Sequence, residues 1–260
     1  MHKKNSPSSK TTSWESVSNW YDQIVSKTGH YYHQEVIFPY LEKRLIQGIK
    51  KDQSVIELAC GQGILEKKLK KETPYHGLDL SDGLLKSAIE GKKSDLHEFS
   101  KQDVTHPFDL GRTFDLGFII LALQNLKEPK KAIENLAKHI KPKGKVAIVL
   151  NHPCFRIPRQ SSWGIDEGKK IQYRRIDRYM EPLEIPISME PSKGKEGSMT
   201  YSYHHSLTDL SKMFSEQGLA IEEIQELCSN KQSEGSTKKM EDRARSEFPL
   251  FMALILQKIR

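Results

Sequence analysis

The feature that most constrains this chain is the run Val55-Ile56-Glu57-Leu58-Ala59-Cys60-Gly61-Gln62-Gly63. A short apolar stretch ends in small residues and two glycines, which is how a buried strand enters a tight turn. Missing Cβ atoms at Gly61 and Gly63 allow the backbone to bend sharply and to approach a ligand closely. The pattern predicts a strand over 54–59 and a helix over 63–71. That helix would turn free N–H groups and a partial positive charge toward whatever is bound. The same rhythm continues downstream. Strands are expected over 75–80, 96–101, 114–120 and 145–151, and helices over 82–90 and 128–140, the last ended by Lys141-Pro142-Lys143-Gly144. Alternation of this kind predicts an α/β fold with a doubly wound, mostly parallel sheet.

Around that core the chain divides by composition. Residues 1–13 are polar and rich in Ser, Thr and Lys, and read as a disordered tail. Residues 14–53 form an aromatic, amphipathic segment expected to be a helical cap, with Val36, Ile37, Tyr40, Leu41, Leu45 and Ile49 at helical spacing. The core spans 54–151. Residues 152–200 break the periodicity with prolines and arginines. A structureless segment of that length within a compact domain reads as a substrate lid. Residues 201–260 complete the sheet, with a helix near 207–217 and strands near 219–227 and 250–259. The polar stretch 228–247 reads as a long loop.

Composition narrows the class further. With 36% hydrophobic and 29% charged residues, a packed core is expected and global disorder is not. The longest apolar runs, 116–123 and 249–256, fall far short of the roughly 20 residues that cross a bilayer. The basic start is followed by no apolar stretch, so a secretory signal is not expected and the protein reads as cytoplasmic. Cys60, Cys154 and Cys228 lie too far apart for a disulfide framework or a metal site. A net charge of +7 permits anionic partners, nucleic acid included, but the basic residues are spread along the chain and mixed with acids.

Several residues separate the possible ligands of the glycine turn. A dinucleotide site wants a third small residue at the sixth position of its glycine motif, and counting from Gly61 that position is Glu66. Glu57 beside the turn is equally unsuited to phosphates and well suited to a cation. S-adenosylmethionine has no phosphate and carries an ammonium and a sulfonium. Asp79, ending the second strand, can accept from both ribose hydroxyls. Asp103, after the third, can accept from an adenine amino group, with Val104 as an apolar contact.

With these motifs the chain resembles the class I S-adenosylmethionine-dependent methyltransferases. The resemblance rests on Glu57-Leu-Ala-Cys-Gly-Gln-Gly63, Gly77-Leu-Asp79-Leu-Ser81, Asp103-Val104, Phe114-Asp-Leu-Gly-Phe-Ile-Ile120 and Ile140-Lys-Pro-Lys-Gly-Lys145. It is strong over about 35–151 and weaker over the last 60 residues. It implies a Rossmann-like, seven-stranded sheet whose last strand is antiparallel. The implied cofactor site comprises Glu57, Gly61, Gly63, Asp79, Asp103 and Leu121, with Ala59, Leu80 and Val104 alongside. Ala59 departs from the family's usual glycine, so a slight backbone adjustment is expected there. Tyr21 and Tyr31 resemble tyrosines that cover the cofactor in many small-molecule members. The segments Tyr31-Tyr-His-Gln-Glu-Val36 and Asn151-His-Pro-Cys-Phe-Arg-Ile-Pro-Arg159 look like bacterial methyltransferases of undefined substrate.

For the acceptor the expectation is a small molecule. His152, directly after the fifth strand, and His204, with His205 beside it, are the candidate catalytic residues. Arg156, Arg159, Arg174, Arg175 and Arg178 in the insertion suit an anionic acceptor. Cys154 stands near where RNA cytosine-C5 methyltransferases carry a nucleophile. The fourth strand ends in Leu121-Ala-Leu-Gln-Asn125 without the required acid, so Cys154 reads as a packing residue. The alternatives are an RNA or protein methyltransferase, suggested by the charge, and a non-catalytic interaction protein on the same scaffold.

Overall fold

The computed structural model describes residues 29–188 and 199–259. The expected tail over 1–13 and residues 14–28 of the aromatic segment, Tyr21 among them, lie outside the described residues. The chain enters through a π-helical turn at His33–Ile37 and helix α1 at Phe38–Arg44. The core then runs β1 (Val55–Leu58), β2 (Tyr75–Asp79), α2 (Asp82–Glu90), β3 (His97–Lys101), β4 (Phe114–Ile120), α3 (Pro129–Lys138) and β5 (Ile140–Asn151). Strands β6 (Ser161–Asp166) and β7 (Ile171–Ile176) follow, then β8 (Leu183–Ser188) and β9 (Met199–His204). The chain closes with α4 (Leu207–Glu216), β10 (Leu219–Leu227), α5 (Lys238–Glu247) and β11 (Phe251–Lys258).

One seven-stranded sheet has the order β10-β11-β5-β4-β1-β2-β3. The β1–β2, β1–β4, β2–β3 and β4–β5 pairs are parallel. Strand β11 is antiparallel to both β5 and β10, as the resemblance implied. Helices cover both faces, so the central strands β1 and β2 are buried at every position rather than at alternate ones. In β5, Val146, Ile148 and Leu150 face a cluster with Ile133 and Leu136 of α3 and Phe214 of α4. Ala147 and Val149 face the opposite cluster, with Phe38 and Leu41 of α1. Alternation along one strand thus builds two cores, one per face.

Three expectations are corrected. Residues 63–71 do not form an α-helix; turns lead into a single 3-10 turn at Glu66–Lys68. Gly61 and Gly63 both have left-handed φ, +55° and +72°, which holds the chain out of the right-handed helical region. Glu66 then turns inward: its Oε1 lies 2.5 Å from His97 Nδ1 and accepts from the Lys93 N–H at 2.7 Å. The α-helical dipole expected at this turn is therefore missing. The insertion, in turn, is not structureless. It holds two antiparallel hairpins, β6–β7 and β8–β9, whose side chains alternate between an inner and an outer face. Finally, the stretch read as a long loop over 228–247 contains α5, tied to its own approach by Ser233 on Glu241 and Asp242.

Candidate active site

The parallel strands all end on one edge of the sheet, and there the chain leaves a cleft of about 130 Å³. Ala59 and Gly61 after β1, Asp79 and Leu80 at the end of β2, Gln102, Asp103 and Val104 after β3, and Leu121 after β4 line it. Ligands collect at such an edge because successive loops splay apart there. Asp79 braces the site: its Oδ2 accepts from the Gly61 N–H at 2.8 Å and its Oδ1 from the Ser81 N–H at 2.9 Å. One carboxylate therefore ties the glycine turn to the start of α2. Asp103 Oδ1 accepts from the Thr105 N–H and hydroxyl, and Oδ2 lies 2.9 Å from His106 Nδ1. Burial alone would raise the Asp103 pKa, but the Thr105 bonds and His106 outweigh it and hold the carboxyl below its ordinary value.

Two lining residues carry backbone strain. Ala59 and Leu121 both have φ +52°, in the left-handed region that non-glycine residues avoid. The Leu121 carbonyl accepts from Gln124 Nε2 and Asn125 Nδ2, and its N–H donates to the Val149 carbonyl at 2.7 Å. Paired strain at the ends of β1 and β4 opens the cleft between them, a common arrangement at functional sites.

Glu57 does not line this cleft. It is buried on β1 beside a smaller pocket of about 40 Å³, which shares Ala59, Gly61 and Ile120 with the cleft. Its Oε2 accepts from the Tyr75 hydroxyl at 2.5 Å. Burial pushes its pKa up to about 8, with the Tyr75 bond opposing and the charges of Asp79 and Glu66 adding to the rise. His33 borders the same pocket, and burial with His30 nearby drives its pKa down to about 3, so it is neutral. Gly63 is a packing position: a Cβ there would meet the Phe99 ring at 3.0 Å.

A third space, about 430 Å³, lies between the sheet edge and the insertion hairpins. Arg156, Arg159, Arg174, Ser161 and Tyr201 line it, and it shares Asn125 with the first cleft. Of the candidate catalytic histidines, His152 lines neither space. Its Nδ1 accepts from the Cys154 N–H at 3.2 Å and its Nε2 faces Glu226 Oε1 at 2.8 Å. His204 donates through Nε2 to the Tyr179 carbonyl at 2.7 Å. His205 is different: its Nε2 is buried without a partner among the described residues, and burial lowers its pKa against the pull of Asp209.

The structure therefore brings Ala59, Gly61, Asp79, Leu80, Asp103, Val104 and Leu121 around one cleft. Glu57 stands in the adjoining pocket, and Gly63, His152 and His204 stand apart from the cleft. The sequence reading missed Gln102, Ile120 and Asn125, which reach the cleft from positions that only the folded sheet defines. The donor set is two carboxylates with backbone and amide groups, and among the described residues no Lys or Arg lines the cleft. Such a lining fits a nucleoside with a cationic tail and disfavours a pyrophosphate.

Residues 56–148 match the family model of a methyltransferase domain. An S-adenosylmethionine-dependent methyltransferase from Mesorhizobium loti shares the fold, with a TM-score of 0.63 and 20% identity over 85% of this chain and 96% of that one. The CcbJ methyltransferase from Streptomyces caelestis matches with a TM-score of 0.64 and 13% identity, over 96% of this chain and 99% of its own. The magnesium protoporphyrin IX methyltransferase of Synechocystis PCC 6803, solved with bound SAH, matches at a TM-score of 0.50 and 15% identity, over 85% and 80%. No curated protein sequence matches the chain.

Proposed function

We propose that the chain is a class I S-adenosylmethionine-dependent methyltransferase whose methyl acceptor is a small molecule received in the cavity beneath the insertion hairpins. The observation that carries this reading is that one residue borders both spaces. Asn125 lines a cleft that has carboxylates and, among the described residues, no Lys or Arg, and it also lines a second cavity. That cavity, about 430 Å³, is walled by the chain's own insertion. Its volume suits a metabolite, since small-molecule sites span roughly 300–1,000 Å³.

The residue roles follow from the chemistry of each group. Asp79 would accept from ribose hydroxyls, and Asp103 and Val104 would meet the adenine. Ala59, Gly61, Leu80 and Leu121 would shape the walls, and Glu57 would balance the ammonium from the adjoining pocket. When bound, S-adenosylmethionine supplies an already activated methyl group, so alignment and exclusion of water are the main tasks left to the protein. His152 and His204 are committed to Glu226 and to the Tyr179 carbonyl, which suits them to holding the insertion in place. His205, whose buried Nε2 has no partner among the described residues, would be the proton acceptor for an acceptor group that must lose one.

Methyl-labelled S-adenosylmethionine incubated with the protein and a cell extract tests the reading. Label should appear in the low-mass filtrate. Label confined to the RNA or protein fraction would overturn the small-molecule assignment while leaving the methyltransferase activity intact.

A further inference from the structure

Four of the five insertion arginines divide into two pairs. Arg175 and Arg178 are exposed and paired with Asp177 and Glu181, as surface charges usually are. Arg156 and Arg174 point the other way and meet no carboxylate among the described residues. Arg174 donates from Nε to the Phe155 carbonyl at 2.8 Å and from Nη2 to Ser161 Oγ at 2.7 Å, with its guanidinium 4.9 Å from the Trp163 ring centroid. Arg156 lies 5.1 Å from the Phe251 ring centroid, and its Nη1 is buried with no hydrogen-bond partner among the described residues. Strand alternation explains the split on β7, because neighbours Arg174 and Arg175 must face opposite sides.

Both inward arginines line the 430 Å³ cavity, together with Arg159, and among the described residues no Asp or Glu lines it. Arg156 also borders a smaller adjoining cavity, about 30 Å³, whose walls include Gln124 and His205. Gln124 Oε1 and His205 Nε2 are, like Arg156 Nη1, buried without partners among the described residues. The three residues that carry these unsatisfied atoms thus line one small cavity, and Arg156 lines the acceptor space as well. An unpaired guanidinium held away from water is costly, and an orphaned buried polar atom is uncommon in a native fold. A ligand that brings acceptor atoms to Arg156 relieves the cost.

We propose that the methyl acceptor carries a carboxylate or phosphate group gripped by Arg156 and Arg174, which holds the rest of the molecule toward Asn125 and the cofactor cleft. This inference rests on the reading that the cavity receives the acceptor. A planar fork suits either oxyanion, and the neutral partners of Arg174 orient its fork without cancelling its charge.

The test is calorimetric titration of benzoate, phenyl phosphate and benzamide into protein saturated with S-adenosylhomocysteine. Benzoate or phenyl phosphate should bind and benzamide should not; which anion binds more tightly identifies the headgroup. Arg156→Gln should weaken the anion by about tenfold or more, the scale of one charge-assisted bond, with S-adenosylhomocysteine affinity unchanged. Arg156→Lys should recover part of the loss. Arg174→Gln, on the hairpin and away from the sheet, provides a second variant should Arg156→Gln fail to fold. Equal binding of all three probes, binding of none, or undiminished anion binding in both glutamine variants would overturn the proposal. Those outcomes are separate from failure of the functional reading, which would show as methyl label in RNA or protein fractions.

Discussion

Glu57 shows how much one side chain can say. Its carboxyl, buried beside Tyr75, has a pKa pushed up to about 8, while an unfolded chain would lose that proton near 4.5. A raised folded pKa on an acid means that the unfolded state releases its proton first, so stability falls as pH rises from about 4.5 to about 8. Glu57→Gln cannot titrate and keeps an acceptor for the Tyr75 hydroxyl. It should leave stability near pH 5 almost unchanged and add on the order of 3 kcal/mol at pH 7, read from denaturant melts at the two pH values. The cofactor should respond oppositely. A cation placed near Glu57 draws off its proton, so wild-type affinity for S-adenosylmethionine should rise with pH toward 8, and Glu57→Gln should flatten that rise. Parallel pH profiles in the two proteins would remove Glu57 from the site. Asp79→Ala loses the clamp on the Gly61 and Ser81 amides as well as the proposed ribose contact, so calorimetry should show cofactor affinity falling by about tenfold or more.

At the scale of elements, the turn after β1 and the cap of α4 are informative. Gly63 combines φ +72° with a close approach to the Phe99 ring. Gly63→Ala should therefore destabilise the fold by about 2 kcal/mol, from left-handed strain and steric contact together. An unchanged unfolding midpoint would mean that the turn relaxes freely. Helix α4 begins with a capping box: the Ser206 hydroxyl accepts from the Asp209 N–H, and the Asp209 carboxylate accepts from the Ser206 N–H. This cap sets the chain direction just after His204 and His205. Ser206→Ala should cost about 1 kcal/mol of stability, measured by chemical denaturation.

For the whole molecule, charge decides less than its total suggests. The net +7 coexists with many surface ion pairs, among them Arg44 with Glu223, Lys145 with Glu222 and Lys130 with Glu216. Interspersed signs weaken any continuous basic track. Binding to duplex DNA or transfer RNA should therefore remain at the non-specific level, with Kd no tighter than about 10⁻⁶ M at physiological salt, and should fade as salt rises. A fluorescence anisotropy titration showing tight, salt-resistant RNA binding would contradict this.

The parallel core was legible because each central strand is buried on both faces, and such burial writes itself into local composition. The strands ending at Leu58, Asp79, Lys101, Ile120 and Asn151 match the expected ends to within a residue. Asp79, Asp103 and the glycine turn were equally visible, since the acids lie at or just after strand ends. Other features depended on contacts between distant residues. The missing helix at 63–71 goes with the left-handed turn at Gly61 and Gly63 and with the pairing of Glu66 with His97, 31 positions away, which no local pattern records. The two hairpins of the insertion pair half-exposed strands whose composition is mixed, so periodicity hid them. The separation of Arg156 and Arg174 from the other arginines, and of Glu57 from the cleft, arises from which face of the folded sheet or hairpin each occupies. Local sequence sets strand, turn and the buried centre of the sheet; partnership between distant side chains is a long-range property, and tertiary packing alone distributes it.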